Sequence, residues 1–432
     1  MNLEKRVKKL EEENKKLREE NRFLKETIQA LMKRIEELEG LVKEKNKPSF
    51  VKEEIMHTNH KSGQKEGHIG YTRHIPERID NVKEHNPDKC PDCGGELSGV
   101  QEIRERVVTD IEIRVINTKH IFYRKYCKTE GKIVEEHIYD ALPNARFGLK
   151  LMLLALILKL DSRIPSNKIV SIMDCVFGNK ISDGEIYNIL AQLKDAFGDY
   201  YQKLVIKIKD VLSKNIDETS WRIDGKNKWL WLFINKEVAL YIVRDKRNND
   251  VPFQVLGNQE GKTIGSDRFP AYDQLAKKAK NFQQICWSHI LRDSKKLAEN
   301  FSEGKYVHKR LKTVYNKAKE GEKKEKLLHW IDLIAKNRKR CRSTVVKKFV
   351  NSICKKHRDN LFRFVDNPEV DSTNNLAERG LRHAVVIRKI SGGSRSDKGA
   401  ETTCRLLSVL QTAKLQSNNH VDFMLNLLQN RK

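Results

Sequence analysis

Between Val211 and Trp287 the sequence changes its period repeatedly, and the order of those changes limits the fold more than any other feature. Val211–Asp217, Lys228–Ile234 and Val238–Val243 are rich in Val, Ile, Leu and Trp, the residues of a pleated, buried surface. Gly225-Lys-Asn marks a turn after the first and Asn235-Lys-Glu a turn after the second, so the three read as a meander. A short helix follows near Val251–Leu256, then a strand at Lys262–Ser266 and another at Gln283–Trp287. From His289 to about Phe364 the pattern is helical and very basic. Asn374–Val386 is a further helix, a Gly392-Gly-Ser loop follows it, and a last helix covers about Ala400 to Leu415.

Meander, helix, strand, helix, strand and then helices is the element order of a ribonuclease H-like mixed sheet. Three acids fall where such a sheet can gather them. Asp217 ends the first predicted strand, Asp267 follows the fourth, and Glu378 lies on a late helix. Displacement at a phosphodiester needs an activated attacking oxygen and a stabilised leaving oxygen. Two divalent ions roughly 3.5–4 Å apart can clamp both. Mg²⁺ or Mn²⁺ wants few carboxylates and open water positions, which two Asp and one Glu allow. Glu218, Asp224 and Asp245 compete for the first role. Asn374 and Asn375 sit one turn before Glu378 and Arg382 one turn after, with Arg379 adjacent, so amides and guanidinium groups can face metal and phosphate.

Composition names the partner class. Lys plus Arg total 85 against 59 Asp plus Glu, a net charge of +26, and an excess of that size points to a polyanion, most often nucleic acid. The longest apolar run, Leu151–Leu158, is far short of a membrane span, and the N-terminus opens into charged helix without a signal peptide. A cytosolic, nucleoid-associated protein is expected. Eight cysteines at irregular spacing make no disulfide framework; the one Cys-x-x-Cys, Cys90 and Cys93, reads as metal ligation in a reducing compartment.

The N-terminal half adds smaller modules. Residues 1–45 carry leucine at 3, 10, 17, 24, 31 and 38, with Val7, Asn14, Asn21, Ile28, Ile35 and Val42 between them. This is a coiled-coil seam. Asn at a seam position pairs best with itself across a parallel two-stranded coil, so a parallel homodimer is expected. Residues 46–88 are an aperiodic, basic linker. Residues 89–140 form a β-rich, zinc-ribbon-like unit: Cys90-Pro-Asp-Cys93-Gly-Gly is a knuckle turn, strands are predicted near Glu105–Asn117 and His120–Tyr126, and Cys127 returns toward the knuckle. A closed zinc site needs four ligands. Glu130 and His120 are the candidates for the fourth, and a metal-free ribbon is the alternative. Residues 141–208 are helical. Ser166–Phe177 and Ser182–Phe197, the latter opening on a Ser182/Glu185 capping box, are either a helix-turn-helix or a plain packed pair. The sheet domain then covers 209–418 with a helical insertion at about 293–370, leaving 419–432 as a tail. Cys286-Trp-Ser-His289, at the end of the fifth strand, lacks metal partners at ligand spacing and reads as a buried Cys with a packed His.

These motifs together resemble the insertion sequence 66 family of transposases. They are the zipper, Gly63-Gln-Lys-Glu-Gly-His68-Ile-Gly, Cys90-Pro-Asp-Cys93-Gly-Gly-Glu-Leu, Asp217-Glu-Thr, Ser266-Asp267-Arg-Phe-Pro-Ala-Tyr, Cys286-Trp-Ser-His289, Asn374-Asn-Leu-Ala-Glu378-Arg-Gly-Leu-Arg382, Arg388-Lys389 and Gly393-Ser394. The resemblance implies cut-and-join transposition between terminal inverted repeats of double-stranded DNA and a DNA target. It implies Asp217, Asp267 and Glu378 as ligands of two Mg²⁺ or Mn²⁺ ions, Arg379, Arg382, Arg388, Lys389 and His289 as DNA contacts, and Cys90, Cys93, Cys127 and Glu130 as a zinc set. Two departures stand out. Glu130 occupies the place of the last family cysteine, and Arg268 replaces a residue that is commonly small. A structure-specific nuclease of the same fold and a zipper-dimerised DNA-binding regulator are the competing readings; the regulator has no use for the acid triad.

Overall fold

A computed structural model describes residues 16, 19, 22, 24–32, 34, 35 and 76–430. The chain divides into two units, Met1–Glu112 and Ile113–Lys432. In the first, the described residues between 16 and 35 are helical, and Leu24, Ile28, Leu31 and Ile35 of the zipper seam are exposed on the single chain. The remaining zipper positions, and the Gly63–His68 motif, lie outside the described residues. Cys90 opens a tight turn in which Gly94 N donates to its carbonyl at 2.8 Å and its own N donates to Gly95 at 2.9 Å. The Cys93 and Asp92 amides face the Cys90 sulfur and hold that thiol below its ordinary value, as a knuckle should.

The second unit opens with a short hairpin, β1 (Lys125–Cys127) against β2 (Lys132–Val134). The strand predicted near Glu105–Asn117 is not formed, and only the end of His120–Tyr126 is extended into β1. Alternation alone does not make a strand: Ile111, Ile113, Ile116 and Ile121 stay exposed and have no buried face to fill. In this hairpin Glu130 pairs with Lys132, while His120 Nε2 lies 3.7 Å from Asp140.

Four helices follow: α1 (Leu149–Leu156), α2 (Ser166–Cys175), α3 (Asp183–Ala196) and α4 (Gly198–Asp210). The predicted capping box starts α3, with Ser182 and Glu185 bonded reciprocally. The sheet then forms from β3 (Ser213–Ile223), β4 (Lys226–Ile234), β5 (Ala239–Arg244), β6 (Thr263–Ser266) and β7 (Phe282–Ile285). Helices α5 (Asp250–Leu256) and α6 (Pro270–Ala279) connect its second half. The order is β5-β4-β3-β6-β7, with β3, β4 and β5 antiparallel and β6 and β7 parallel to β3. That mixed arrangement is compatible with a ribonuclease H-like fold.

Strand alternation divides the core. Leu230, Leu232 and Ile234 pack with α1–α3 and the C-terminal helices, whereas Trp231 and Phe233 pack with α4, α5 and α6. The sheet is therefore covered on both faces. Beyond β7, helices α7 (Trp287–Asn300), α8 (Ser302–Lys319), α9 (Lys324–Asn337) and α10 (Thr344–Asn351) build a core of their own around Leu311, Ile331 and Val350. Helix α11 (Asn375–Ser391) returns to the sheet, and α12 (Asp397–Gln416) covers β5. The segment read as a tail holds one more helix, α13 (His420–Gln429), because Met424 and Leu428 give it a face to bury.

Two details correct the strand reading. β3 does not stop at Asp217 but runs on to Ile223, since β4 continues to pair with it. The hairpin turn is Asp224-Gly225 rather than Gly225-Lys-Asn, with φ of 48° and 73°, the doubly positive geometry that matches strand twist.

Candidate active site

Asp217 and Glu218 are sequence neighbours, so the pleat sends them to opposite faces of β3. Trp221 and Ile223, in phase with Asp217, belong to the core that contains Ala377 and Leu381 of α11. Ile216, in phase with Glu218, belongs to the other core. The helix carrying Glu378 thus packs on the Asp217 side. Glu218 is engaged elsewhere: its side chain is 1% exposed, Arg247 Nε donates to Oε1 at 2.7 Å, and the Tyr272 hydroxyl bonds Oε2. Arg247 is itself stacked on Phe269 at 4.1 Å and Trp229 at 4.8 Å. Asp224 is exposed in the hairpin turn, and Asp245 pairs with Lys228. The three competitors for the first role are therefore a buried structural carboxylate and two surface groups.

Asp267 sits just past the end of β6. β6 runs parallel to β3 with Asn215 opposite Gly265, a register that heads toward Asp217 and Asp267 together. Phe269 N donates to Asp267 Oδ1 at 2.8 Å, which shapes the loop before α6. Gly265 is required here: a Cβ would lie 2.9 Å from Asn215 Nδ2. Asn215 needs that space because its amide donates to Asn374 Oδ1 at 3.0 Å and to the Thr373 carbonyl at 3.2 Å. Asn374 then donates to the Ile216 carbonyl at 3.0 Å. These bonds tie the start of α11 to β3 beside Asp217. The expectation that Asn374 faces phosphate is corrected: it is 1% exposed and its amide is engaged with the strand. Asn375 is exposed.

The carboxylates act on one another. Burial, then the Glu218 charge, push the Asp217 carboxyl up to about 7; the Glu218 amide opposes this at 2.9 Å, and Asp267 and Glu378 add to it. Burial likewise raises Glu218, against its bonds to Tyr272 and Arg247. An accumulation of negative charge with this little compensation suits a site that takes up cations. Glu378 supplies a second sign: its Oε1 is buried and has no hydrogen-bond partner among the described residues.

Cys286 and His289 belong to this neighbourhood, which sequence spacing did not reveal. Among the described residues, the group of three side chains whose ligand atoms all lie within 4.8 Å is Cys286, His289 and Glu378, rather than the acid triad. Burial pushes the Cys286 thiol up, but the His289 ring, the Ser288 hydroxyl and the Asn374 amide outweigh it and bring it below its ordinary value. The same Cys286 contact raises His289 against burial. The partner, Glu378, comes from a distant helix, so no local motif announces it.

The cationic residues divide. Arg379, Arg382 and Lys389 are exposed. Arg388 folds back on β3, donating to the Ser220 carbonyl at 2.6 Å. His289 faces Glu378 with Nδ1 3.5 Å from Oε1. The loop after α11 also rejoins the strand: Ser394 N donates to the Arg222 carbonyl at 2.8 Å, and Trp221 donates to Ser394 Oγ at 3.1 Å. Gly393 permits this approach, since a Cβ there would stand 2.4 Å from the Arg222 carbonyl oxygen. Arg268 pairs with Asp293 of α7 and lies 5.4 Å over the Phe349 ring of α10, linking the Asp267 loop to the helical insertion.

Residues 145–402 match the model of a family described as Transposase IS66 family. No curated protein matches the chain. Among the described residues no helix is long and apolar enough to cross a membrane.

Proposed function

We propose, from the premise that this chain belongs to the IS66 transposase family, that it cuts the ends of a DNA element and joins them to target DNA. In this reading Asp217, Asp267 and Glu378 hold two magnesium or manganese ions. The observation that carries it is the bonding of Asn374 to Ile216 and Asn215, which fastens the Glu378 helix to the Asp217 strand on one face of the sheet. Asp267 follows in register on the neighbouring strand. The raised Asp217 carboxyl and the unpartnered Glu378 Oε1 fit a cation site.

Bound ions of this kind polarise the attacking water or 3′-hydroxyl and stabilise the leaving oxygen. The chain supplies the remaining requirements. Asp217 is fixed in the middle of a paired strand, so its carboxylate moves little between cleavage and joining. Arg379, Arg382 and Lys389 are exposed and would contact phosphates and hold the DNA in line. Dimerisation through the zipper would supply two active sites for two ends, and Cys90, Cys93 and Cys127, with Glu130, His120 or water, would hold a structural zinc.

The test is incubation with a supercoiled plasmid carrying candidate element ends and Mg²⁺. Joined products are expected. Cleavage without joining would favour a nuclease, and binding without cleavage a regulator; either outcome would overturn the proposal.

A further inference from the structure

Cys286 precedes α7, His289 lies in its first turn, and Glu378 lies in the first turn of α11. Their ligand atoms all lie within 4.8 Å of one another. Cys286 Sγ is held in place: Asn374 N donates to it at 3.0 Å, and Ser288 Oγ lies 2.9 Å away. The His289 ring also contacts that sulfur, but one polar atom on each of the other two residues is left over. His289 Nδ1 and Glu378 Oε1 are 3.5 Å apart and buried, yet neither has a hydrogen-bond partner among the described residues. A buried polar atom without a partner is destabilising, so two such atoms facing one another point to a ligand that serves both. A sulfur, an imidazole nitrogen and a carboxylate oxygen converging on one point are a donor set for a borderline-soft cation rather than for magnesium, which prefers oxygen alone.

We propose that Cys286, His289 and Glu378 form a binding site for a thiophilic divalent cation of the zinc class, separate from the magnesium positions but sharing the Glu378 carboxylate. Three protein ligands leave the fourth tetrahedral position to water or to a phosphate oxygen. Binding displaces the Cys286 thiol proton to solvent. With Oε1 engaged, Oε2 remains for the catalytic ion, and rotation of the Glu378 carboxylate is arrested. The site would therefore orient the one triad member that comes from a helix. Asn374 supports both ends of this arrangement, donating through its backbone to Cys286 and through its side chain to β3.

Cobalt is the probe, because a cobalt–thiolate bond gives an ultraviolet charge-transfer band that imidazole and carboxylate do not. The full chain carrying Cys90→Ser, Cys93→Ser and Cys127→Ser, which removes the cysteines proposed for a structural zinc, should bind one Co²⁺ with that band, and excess Mg²⁺ should not remove it. Adding Cys286→Ser should abolish the band. Adding His289→Asn or Glu378→Gln should weaken cobalt binding by at least about 10-fold. No band at saturating cobalt, or a band that survives Cys286→Ser, would overturn the proposal. Should the triple-serine chain not fold, zinc content of the native chain and of Cys286→Ser alone is compared after reloading; loss of one zinc per chain is expected, and equal contents refute the site. No DNA enters these measurements. A chain that binds cobalt but fails to join DNA overturns only the transposition reading, and a chain that joins DNA without the band overturns only this site.

Discussion

Asn374 donates a hydrogen bond from its side-chain amide to the carbonyl of Ile216 at 3.0 Å, one residue before Asp217. The same side chain accepts from Asn215, and its backbone N–H reaches Cys286. One buried asparagine therefore joins the strand of the first acid, the helix of the third, and the start of the helical insertion. Because both partners on β3 are buried, truncation takes the side-chain donor from the Ile216 carbonyl and leaves one Asn215 amide N–H unpaired rather than returned to water.

Asn374→Ala should accordingly lower stability by roughly 2 kcal/mol or more, a melting shift of several degrees. It should also reduce cleavage more than DNA binding, since the exposed arginines are not displaced. Thermal denaturation beside a binding titration checks both. An unchanged melting temperature would show that the bond does not hold the elements together.

Asp217→Asn, Asp267→Asn and Glu378→Gln should each abolish strand cleavage while leaving DNA affinity intact or slightly raised. The amides are nearly isosteric but lose the charge that holds the ions, and less negative charge favours approach of DNA. Asp224→Asn, in the exposed hairpin turn, should cleave normally. Glu218→Gln is different: it weakens the buried bonds to Arg247 and Tyr272, so its loss should appear first in stability. Normal cleavage by Asp217→Asn would refute the triad.

How much of this was legible in the sequence depended on the range of the interaction. Leu230 to Ile234 announce a strand because a short apolar run between turn residues is a local signal, and Ser182 with Glu185 announces a helix start because the capping box spans one turn. The acids could be ranked only through element order. The choice of Asp217 over Glu218 needs the facing helix, and the engagement of Glu218 needs Arg247 and Tyr272 from two later segments. Asn374 and Arg388 looked like phosphate ligands in the sequence because polar side chains beside an acid look alike whether they meet DNA or their own backbone. The cluster of Cys286 and His289 with Glu378 was invisible for the same reason: its third member is supplied by tertiary folding.

In chelator, Asp217 should make stability fall as pH rises. Its carboxyl stands at about 7 in the fold, against an ordinary value near 4, so the folded chain binds that proton more tightly than the unfolded one. The stabilisation is complete below about pH 4 and is lost as pH climbs through about 7. Asp217→Asn should be more stable than the native chain at pH 8 by on the order of 4 kcal/mol, and equally stable near pH 4. Mg²⁺ at pH 8 should narrow the gap by supplying the missing counter-charge. If Asp217→Asn melts lower than the native chain at pH 8 in chelator, the charge on Asp217 is already compensated and the argument fails.

DNA binding should weaken steeply with salt. The net charge is +26, and several phosphate contacts would cost affinity roughly 10³-fold between 50 and 200 mM salt. Arg379→Ala and Arg382→Ala should each lower the slope of log affinity against log salt by about 1 while weakening all sequences alike. A flat salt response would contradict a phosphate-based interface.

The zipper should make a parallel dimer. On the single chain Leu24, Ile28, Leu31 and Ile35 are 52–58% exposed, an apolar stripe at seam spacing that a second helix would cover. Asn14 and Asn21 occupy seam positions in the sequence, and like residues meet there only when two helices run in the same direction and in register. Sedimentation of the native chain should therefore give a dimer at micromolar concentration, and Leu24→Lys with Leu31→Lys should give a folded monomer. Direction is read separately. Asn14→Cys should form a disulfide with its own counterpart under mild oxidation, because the two sulfurs face one another across a parallel seam. In an antiparallel pair position 14 would meet the other end of the partner helix, and no such bond would form. A native monomer rejects the dimer, and a dimer in which Asn14→Cys does not cross-link rejects the parallel register.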